Sequence, residues 1–243
     1  MAFSLGTAAG SRERMKFSRA TLANCSQAAG AVVVIDVLRA FSTAAYAFAA
    51  GVSEIILTRE VSEALALREQ FPGALVAGEV GGFPVAGFDF GNSPYAMVGL
   101  DLGGRRLIQR TSAGTQGAVL SSQAEHLLAC SFVCAAATAR MIRKLEPPQV
   151  TFVLTEYGRE GGGDEDAACA DYLEALLNGQ TPPVEPFLQR VRGSQSAQAL
   201  SDPSRPDNAA IDIDYCTQVD RFDFAMQACR ENGLLVLRRK NPD

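Results

Sequence analysis

Residues Ala31 to Ala45 read AVVVIDVLRAFSTAA, and this stretch decides the fold. Its first five residues, Ala31 to Ile35, are apolar and mostly β-branched, and Asp36 ends the run at once. A continuous apolar run without alternation reads as a strand buried on both faces, as in a parallel sheet covered by helices. The following polar cluster, Arg39, Ser42 and Thr43, opens an Ala-rich helix from Arg39 to Ala50, and Gly51 supplies the stop. An acid at the C-terminal end of such a strand stands where open α/β sheets bind their ligands. Asp is also a favoured helix N-cap. The two roles are compatible.

The same alternation continues downstream. Strands are expected at Ser53–Thr58 and Ala74–Val80, with an amphipathic helix Glu60–Phe71 between them, closed by Pro72-Gly73. This β-α-β-α-β order implies a parallel sheet with right-handed crossovers. A long segment rich in glycine and aromatic residues, Gly81–Met97, follows, and a helix could start near Pro94. Next come a strand Arg105–Thr111, a Ser-Ala-Gly-Thr turn opening a helix Gln116–Gln123, and a strand Glu125–Ser131. A helix Val133–Leu145, a strand Val150–Glu156, a glycine-rich loop Tyr157–Asp166 and a helix Ala167–Leu177 extend the pattern. The tail reads as a helical stretch Val184–Leu200, a polar linker Ser201–Asn208, a helix Arg221–Glu231 and a strand Leu234–Leu237. The expected fold is α/β, a three-layer α/β/α sandwich with a mostly parallel sheet. One domain over residues 1–243 is expected, with two lobes split near residues 110–150 as the variant.

Composition narrows the function classes. The net charge is −5 and no block of basic residues exists, so a nucleic acid or an anionic membrane has no electrostatic footprint to bind. No apolar stretch approaches the roughly 18–20 residues of a membrane span. The N-terminal 20 residues contain Arg and Ser but few acids, faintly like a transit peptide; they read better as the opening segment of the domain, and a cytoplasmic location is expected. None of the six cysteines forms a Cys-x-x-Cys pair, and the single histidine, His126, lies in a strand rather than a catalytic turn. Cys134 and Arg140 have the spacing of a cysteine-dependent phosphatase, but AAATA between them has no glycine and cannot form the anion cradle.

Four strand ends carry polar residues suited to one chemistry: Asp36 with Arg39, Gly78-Glu79, Thr111 to Thr115, and Glu165-Asp166. Small hydroxyl residues and glycine entering a helix free N–H groups for phosphate. Carboxylates suit Mg2+, a hard cation. Together they fit phosphoryl-group hydrolysis. Taken singly, each also reads as ordinary helix capping.

These motifs together resemble the Mg2+-dependent 2-phosphosulfolactate phosphatases, the ComB-like family associated with coenzyme M biosynthesis. The resemblance runs through IDVLRAFSTA (Ile35–Ala44), AGEV (Ala77–Val80), GFDFGNSP (Gly87–Pro94), TSAGT (Thr111–Thr115), CSFVCAAATA (Cys130–Ala139) and DEDAACADYL (Asp164–Leu173). It covers roughly residues 30–175, with a weaker echo in YCTQVDRFDFAM (Tyr215–Met226). It implies an α/β enzyme that needs Mg2+ and releases sulfolactate and phosphate. On residue chemistry, the expected catalytic set is Asp36, Arg39, Glu165 and Asp166, and the expected metal set is Asp36, Glu79, Glu165 and Asp166. Arg39, Ser42, Asn92, Ser93, Thr111, Ser112, Gly114 and Thr115 would contact a small anionic phosphorylated substrate.

Three positions depart from the family pattern. Ser112-Ala113 replaces Thr-Asn, Val80 replaces Arg, and Cys134 replaces Asn. These losses of two amides and a guanidinium leave two further readings open: a phosphatase of another small phosphorylated hydroxy acid, or a non-catalytic binder of an anionic metabolite. Homo-oligomer formation is open as well.

Overall fold

A computed structural model describes residues 15–156, 162–204 and 210–242. Residues 1–14, positions 157–161 of the glycine-rich loop and positions 205–208 of the polar linker lie outside the described residues. The strands are β1 (Lys16–Thr21), β2 (Gly30–Ile35), β3 (Glu54–Thr58), β4 (Leu75–Gly78), β5 (Arg106–Arg110), β6 (Ala124–Cys130), β7 (Gln149–Leu154), β8 (Ala225–Glu231) and β9 (Leu234–Lys240). The helices are α1 (Ala40–Ala49), α2 (Val61–Gln70), α3 (Gly114–Leu120), α4 (Ala135–Leu145), α5 (Asp164–Leu177), α6 (Glu185–Gly193), α7 (Gln195–Leu200) and α8 (Ala210–Cys216).

The nine strands form one sheet in the order β1-β7-β2-β6-β8-β9-β3-β5-β4. The expected α/β class with a mostly parallel sheet is what the chain adopts. Ala31 to Ile35 are fully buried, as their unbroken apolar run requires. Helices α4 and α5 pack on each other and on β6, β2 and β7, while α1 and α3 pack against β6, β2 and β3. The core is filled from both sides by Phe41, Phe48, Phe132 and Phe152, all fully buried.

The sheet is not one continuous parallel unit. β1, β7, β2 and β6 form one parallel set and β3, β5 and β4 another. Three antiparallel pairings, β6–β8, β8–β9 and β9–β3, join the sets, so the second runs opposite to the first along the ladder. β2 and β3 are therefore not neighbours, against the simple β-α-β expectation. The cause is the hairpin β8–β9, which inserts between the two sets.

That hairpin also overturns the expected helix Arg221–Glu231. Ala225, Met226, Gln227, Arg230 and Glu231 are good helix formers, but Asn232-Gly233 both adopt positive φ (50° and 82°). Such a two-residue turn matches the strand twist, and it pairs Glu231 with Leu234. The turn and the buried cross-strand contacts outweigh the propensity. β1 and α8 are further elements that the sequence pattern did not announce. The expected helix at Val184–Leu200 is split at Ser194, whose extended backbone and hydroxyl cap α7 by accepting the Ala197 N–H.

Candidate functional site

A cleft of about 270 Å3 is lined by Asp36, Arg39, Glu79, Gly81, Gly82, Asn92, Ser112 and Glu156, with Leu38, Ala199 and Leu200 as apolar wall. Asp36 and Glu156 reach it from the ends of β2 and β7, and Glu79 and Ser112 from the oppositely running β4 and β5. The two sets meet because α1 and α3 cross over. Gln109 Nε2 on β5 donates to the Ala40 carbonyl (2.9 Å), and a Cβ on Gly114 would lie 2.7 Å from both Asp36 Oδ2 and the Ala40 Cβ. Only glycine lets α3 begin against Asp36. Gly78 has a similar duty: with φ 144°, a Cβ there would fall 1.8 Å from the Arg110 carbonyl oxygen. That contact is where the Glu79 N–H donates to Arg110 O (3.0 Å) and β4 turns toward the cleft.

Asp36 is buried and accepts the Ala40 N–H, the first of α1, at Oδ1 (2.8 Å), while the N-cap position itself is Arg39. Its Oδ2 has no hydrogen-bond partner among the described residues. Burial, and then the nearby Glu156, Glu79 and Glu165 carboxylates, push its pKa up to about 7 against the pull of the Ala40 bond. Glu165, in the first turn of α5, is fully buried; Ser196 on α7 donates to its Oε1, and its Oε2 is unpaired. A buried, unpaired carboxylate oxygen is costly and calls for a partner.

The other acids differ. Asp166 accepts from Val37 N–H (2.9 Å), Thr155 N–H and Oγ1 (both 3.1 Å) and Glu156 N–H (3.3 Å). It fastens the turns after β2 and β7. Burial, with Glu165 and Asp36, raises its pKa, and the Val37 and Glu156 N–H bonds oppose the rise. Glu79 accepts from Ser112 N–H (2.6 Å), Ser112 Oγ (3.0 Å) and Gly82 N–H, so it too is occupied by its own loops. Among the described residues no group of three or more His, Cys, Asp or Glu side chains is arranged to hold a metal ion. Of these four acids, Asp36 and Glu165 each keep one oxygen without a hydrogen-bond partner among the described residues.

The expected substrate contacts divide in the same way. Arg39 lines the cleft and pairs through Nη1 with Asp212 Oδ2 (2.7 Å). Asn92 lines it with a buried Oδ1 that has no partner, and Ser112 and Ala113 line it from the turn after β5. By contrast, Ser42 donates to the Val37 carbonyl (2.8 Å). Thr111 and Thr115 close on each other, each Oγ1 accepting the other's N–H (3.0 and 2.8 Å). Ser93 donates to Asp212 Oδ1 (2.7 Å). Glu156, Ser196 and Asp212 escaped the sequence reading; only Glu156, at a strand end, carried the positional signal used for the others.

Cys134 is buried, its pKa raised chiefly by its bond to Cys130, and Arg140 is paired with Asp223. Neither faces the cleft, in keeping with the reading of their spacing as chance. No helix among the described residues is long and apolar enough to cross a membrane.

The family model described as 2-phosphosulpholactate phosphatase matches residues 18–230. A probable 2-phosphosulfolactate phosphatase of Bacillus subtilis (strain 168) is 34% identical over 208 residues, covering 85% of this chain and 90% of that protein. Its namesake from Deinococcus radiodurans is 36% identical over 198 residues (77% and 82%), and that from Carboxydothermus hydrogenoformans 32% over 226 (85% and 90%). The chain belongs to the 2-phosphosulfolactate phosphatase family.

Proposed function

We propose that this member of the family is a phosphoric monoester hydrolase that converts 2-phosphosulfolactate and water to sulfolactate and inorganic phosphate, with Mg2+ as cofactor, in the cytoplasm. The observation that carries the reading is a pair of carboxylates with spare bonding capacity: Asp36, which lines the cleft with Arg39 and Asn92, and Glu165, fully buried behind the lining residue Ser196 with its Oε2 unpaired. The names of the relatives support the substrate.

The donor chemistry fits Mg2+, which takes oxygen ligands and is commonly held by one or two carboxylates with water completing its shell. Asp36 and Glu165 would hold the ion. When bound, it supplies charge neutralisation and polarisation of the phosphoryl group. The cleft needs that charge: among the described residues Asp36, Glu79 and Glu156 line it against Arg39, and a phosphate dianion would meet three carboxylates there. Arg39 suits binding of phosphate oxygens through its fork of donors. Asn92, next to it in the wall, orients the bound substrate, and Leu38, Ala199 and Leu200 restrict water. Glu79 and Asp166 act through the turns they fasten rather than as ligands.

A second reading keeps the chemistry and changes the substrate. Val80, 45% exposed beside the Gly81-Gly82 turn of the cleft wall, offers no charge to a sulfonate. A phosphorylated hydroxy acid with one fewer charge would lose less there. Phosphate release from 2-phosphosulfolactate, 2-phospholactate and 3-phosphoglycerate, each with Mg2+ or EDTA, separates the readings. Fastest release from 2-phosphosulfolactate, abolished by EDTA, is expected. Preference for 2-phospholactate selects the second reading, EDTA-resistant release removes the metal, and binding without release leaves a non-catalytic protein.

A further inference from the structure

We propose that Asp212, on α8, is a positioning residue that sets the direction and charge balance of Arg39 in the cleft; this rests on the phosphatase reading above. Asp212 lies far along the chain from Arg39 and in none of the motifs, yet it is fully buried. Each of its oxygens is taken. Oδ2 accepts from Arg39 Nη1 (2.7 Å), while Oδ1 accepts from Ser93 Oγ (2.7 Å) and the Tyr95 N–H (3.1 Å). The carboxylate cannot rotate without breaking one of these bonds, so the loop after β4 and helix α8 together fix the end of the guanidinium. One carboxylate thereby couples the Asp36–Arg39 turn to the Asn92–Ser93 turn.

The consequence is functional as well as structural. Arg39 shares the cleft with Asp36, Glu79 and Glu156, and any of them would attract an untethered guanidinium. An Arg39 drawn onto Asp36 would cover the oxygen left open there and withdraw its donors from an anionic substrate. Asp212 holds Arg39 against that pull. A side chain that merely stabilised α8 would have no such effect.

The test compares Asp212→Asn with Tyr46→Phe, measuring KM, kcat, inhibition by inorganic phosphate and Tm on the Mg2+-loaded protein. Tyr46 OH bonds Tyr215 O (3.3 Å) and Gln218 Oε1 (3.1 Å), so Tyr46→Phe loosens the end of α8 without touching Asp212. Asp212→Asn should raise KM and the phosphate inhibition constant roughly tenfold or more, the effect of losing a charged hydrogen bond. Tyr46→Phe should lower Tm and leave both constants near wild type. If Asp212→Asn does not fold, Ser93→Ala, which removes one donor from Oδ1, should raise both constants about two- to threefold, a loss smaller than that of one neutral hydrogen bond. Active wild-type protein with KM and phosphate inhibition unchanged in Asp212→Asn, or in Ser93→Ala where the first cannot be made, overturns the positioning role alone. Wild-type protein that neither releases nor binds phosphate overturns the phosphatase reading and this inference with it.

Discussion

The turn after β2 and the turn after β5 are about equally polar in sequence, IDVLR against TSAGT, and they do different things. The first leaves an oxygen of Asp36 without a partner among the described residues, lies close to Glu165 with its own unpaired oxygen, and sets Arg39 in the cleft wall. The second closes most of its polarity on itself: Thr111 and Thr115 trade N–H bonds, and Ser112 binds Glu79 through both N–H and Oγ. Polarity at a strand end does not distinguish a reactive group from a structural one. An unsatisfied carboxylate oxygen is the sharper sign, because burying a charge-bearing oxygen without a donor costs more than burying a neutral one such as Gln109 Oε1 or Ser131 Oγ, both also unpaired.

Substitutions can break that contrast. Asp36→Asn should carry the largest effect, a loss in kcat of about 10²- to 10⁴-fold, the range expected for removing a group that acts on the reacting centre. Gly114→Ala drives a methyl into Asp36 and the Ala40 Cβ, and should cost about 1–3 kcal/mol of stability together with most of the activity; thermal melts and phosphate release check both. Thr115→Val leaves the Thr111 N–H without its Oγ1 acceptor, keeps the Thr115 N–H bond to Thr111 Oγ1, and should cost about 1–2 kcal/mol, read as a lower Tm. Its loss of activity should be far smaller than that of Asp36→Asn. Equal losses would erase the distinction between the turns.

The pH dependence sharpens the same point. The folded protein holds the Asp36 proton more tightly than the unfolded chain does, with a pKa of about 7 against 3.8. Between these values the native state binds more protons, so the stability of metal-free protein falls as pH rises from about 4 through about 7. Asp36→Asn should flatten that decline in denaturant titrations at pH 5, 6, 7 and 8. A decline equally steep in the variant would assign it to other groups.

Much of this was legible in the sequence for physical reasons that particular residues show. Ala31 to Ile35 read as a doubly buried strand, and Gly78-Glu79 marked a polar strand end; that Gly78 is needed for backbone to approach backbone shows only in the structure. The hairpin β8–β9 was legible in Asn232-Gly233, but the helix-forming residues before it obscured the signal. β1 is a short edge strand whose partner, β7, lies over a hundred residues away, and local pattern carries no record of that pairing. Asp212 and Ser196 depend on helices folding back over the cleft. Whether a threonine closes on its neighbour or an aspartate stays open is likewise set by tertiary packing, which explains why Ser42, Thr111 and Thr115 resembled site residues as strongly as Asn92 did.

The most direct measurement is an experimental structure of the protein crystallised with Mg2+ and inorganic phosphate. The account predicts the cation on the open oxygens of Asp36 and Glu165, phosphate in the cleft against Arg39 and Asn92, and Thr111 and Thr115 still closed on each other. Phosphate bound elsewhere, with Asp36 and Glu165 contacting neither ion, would contradict it.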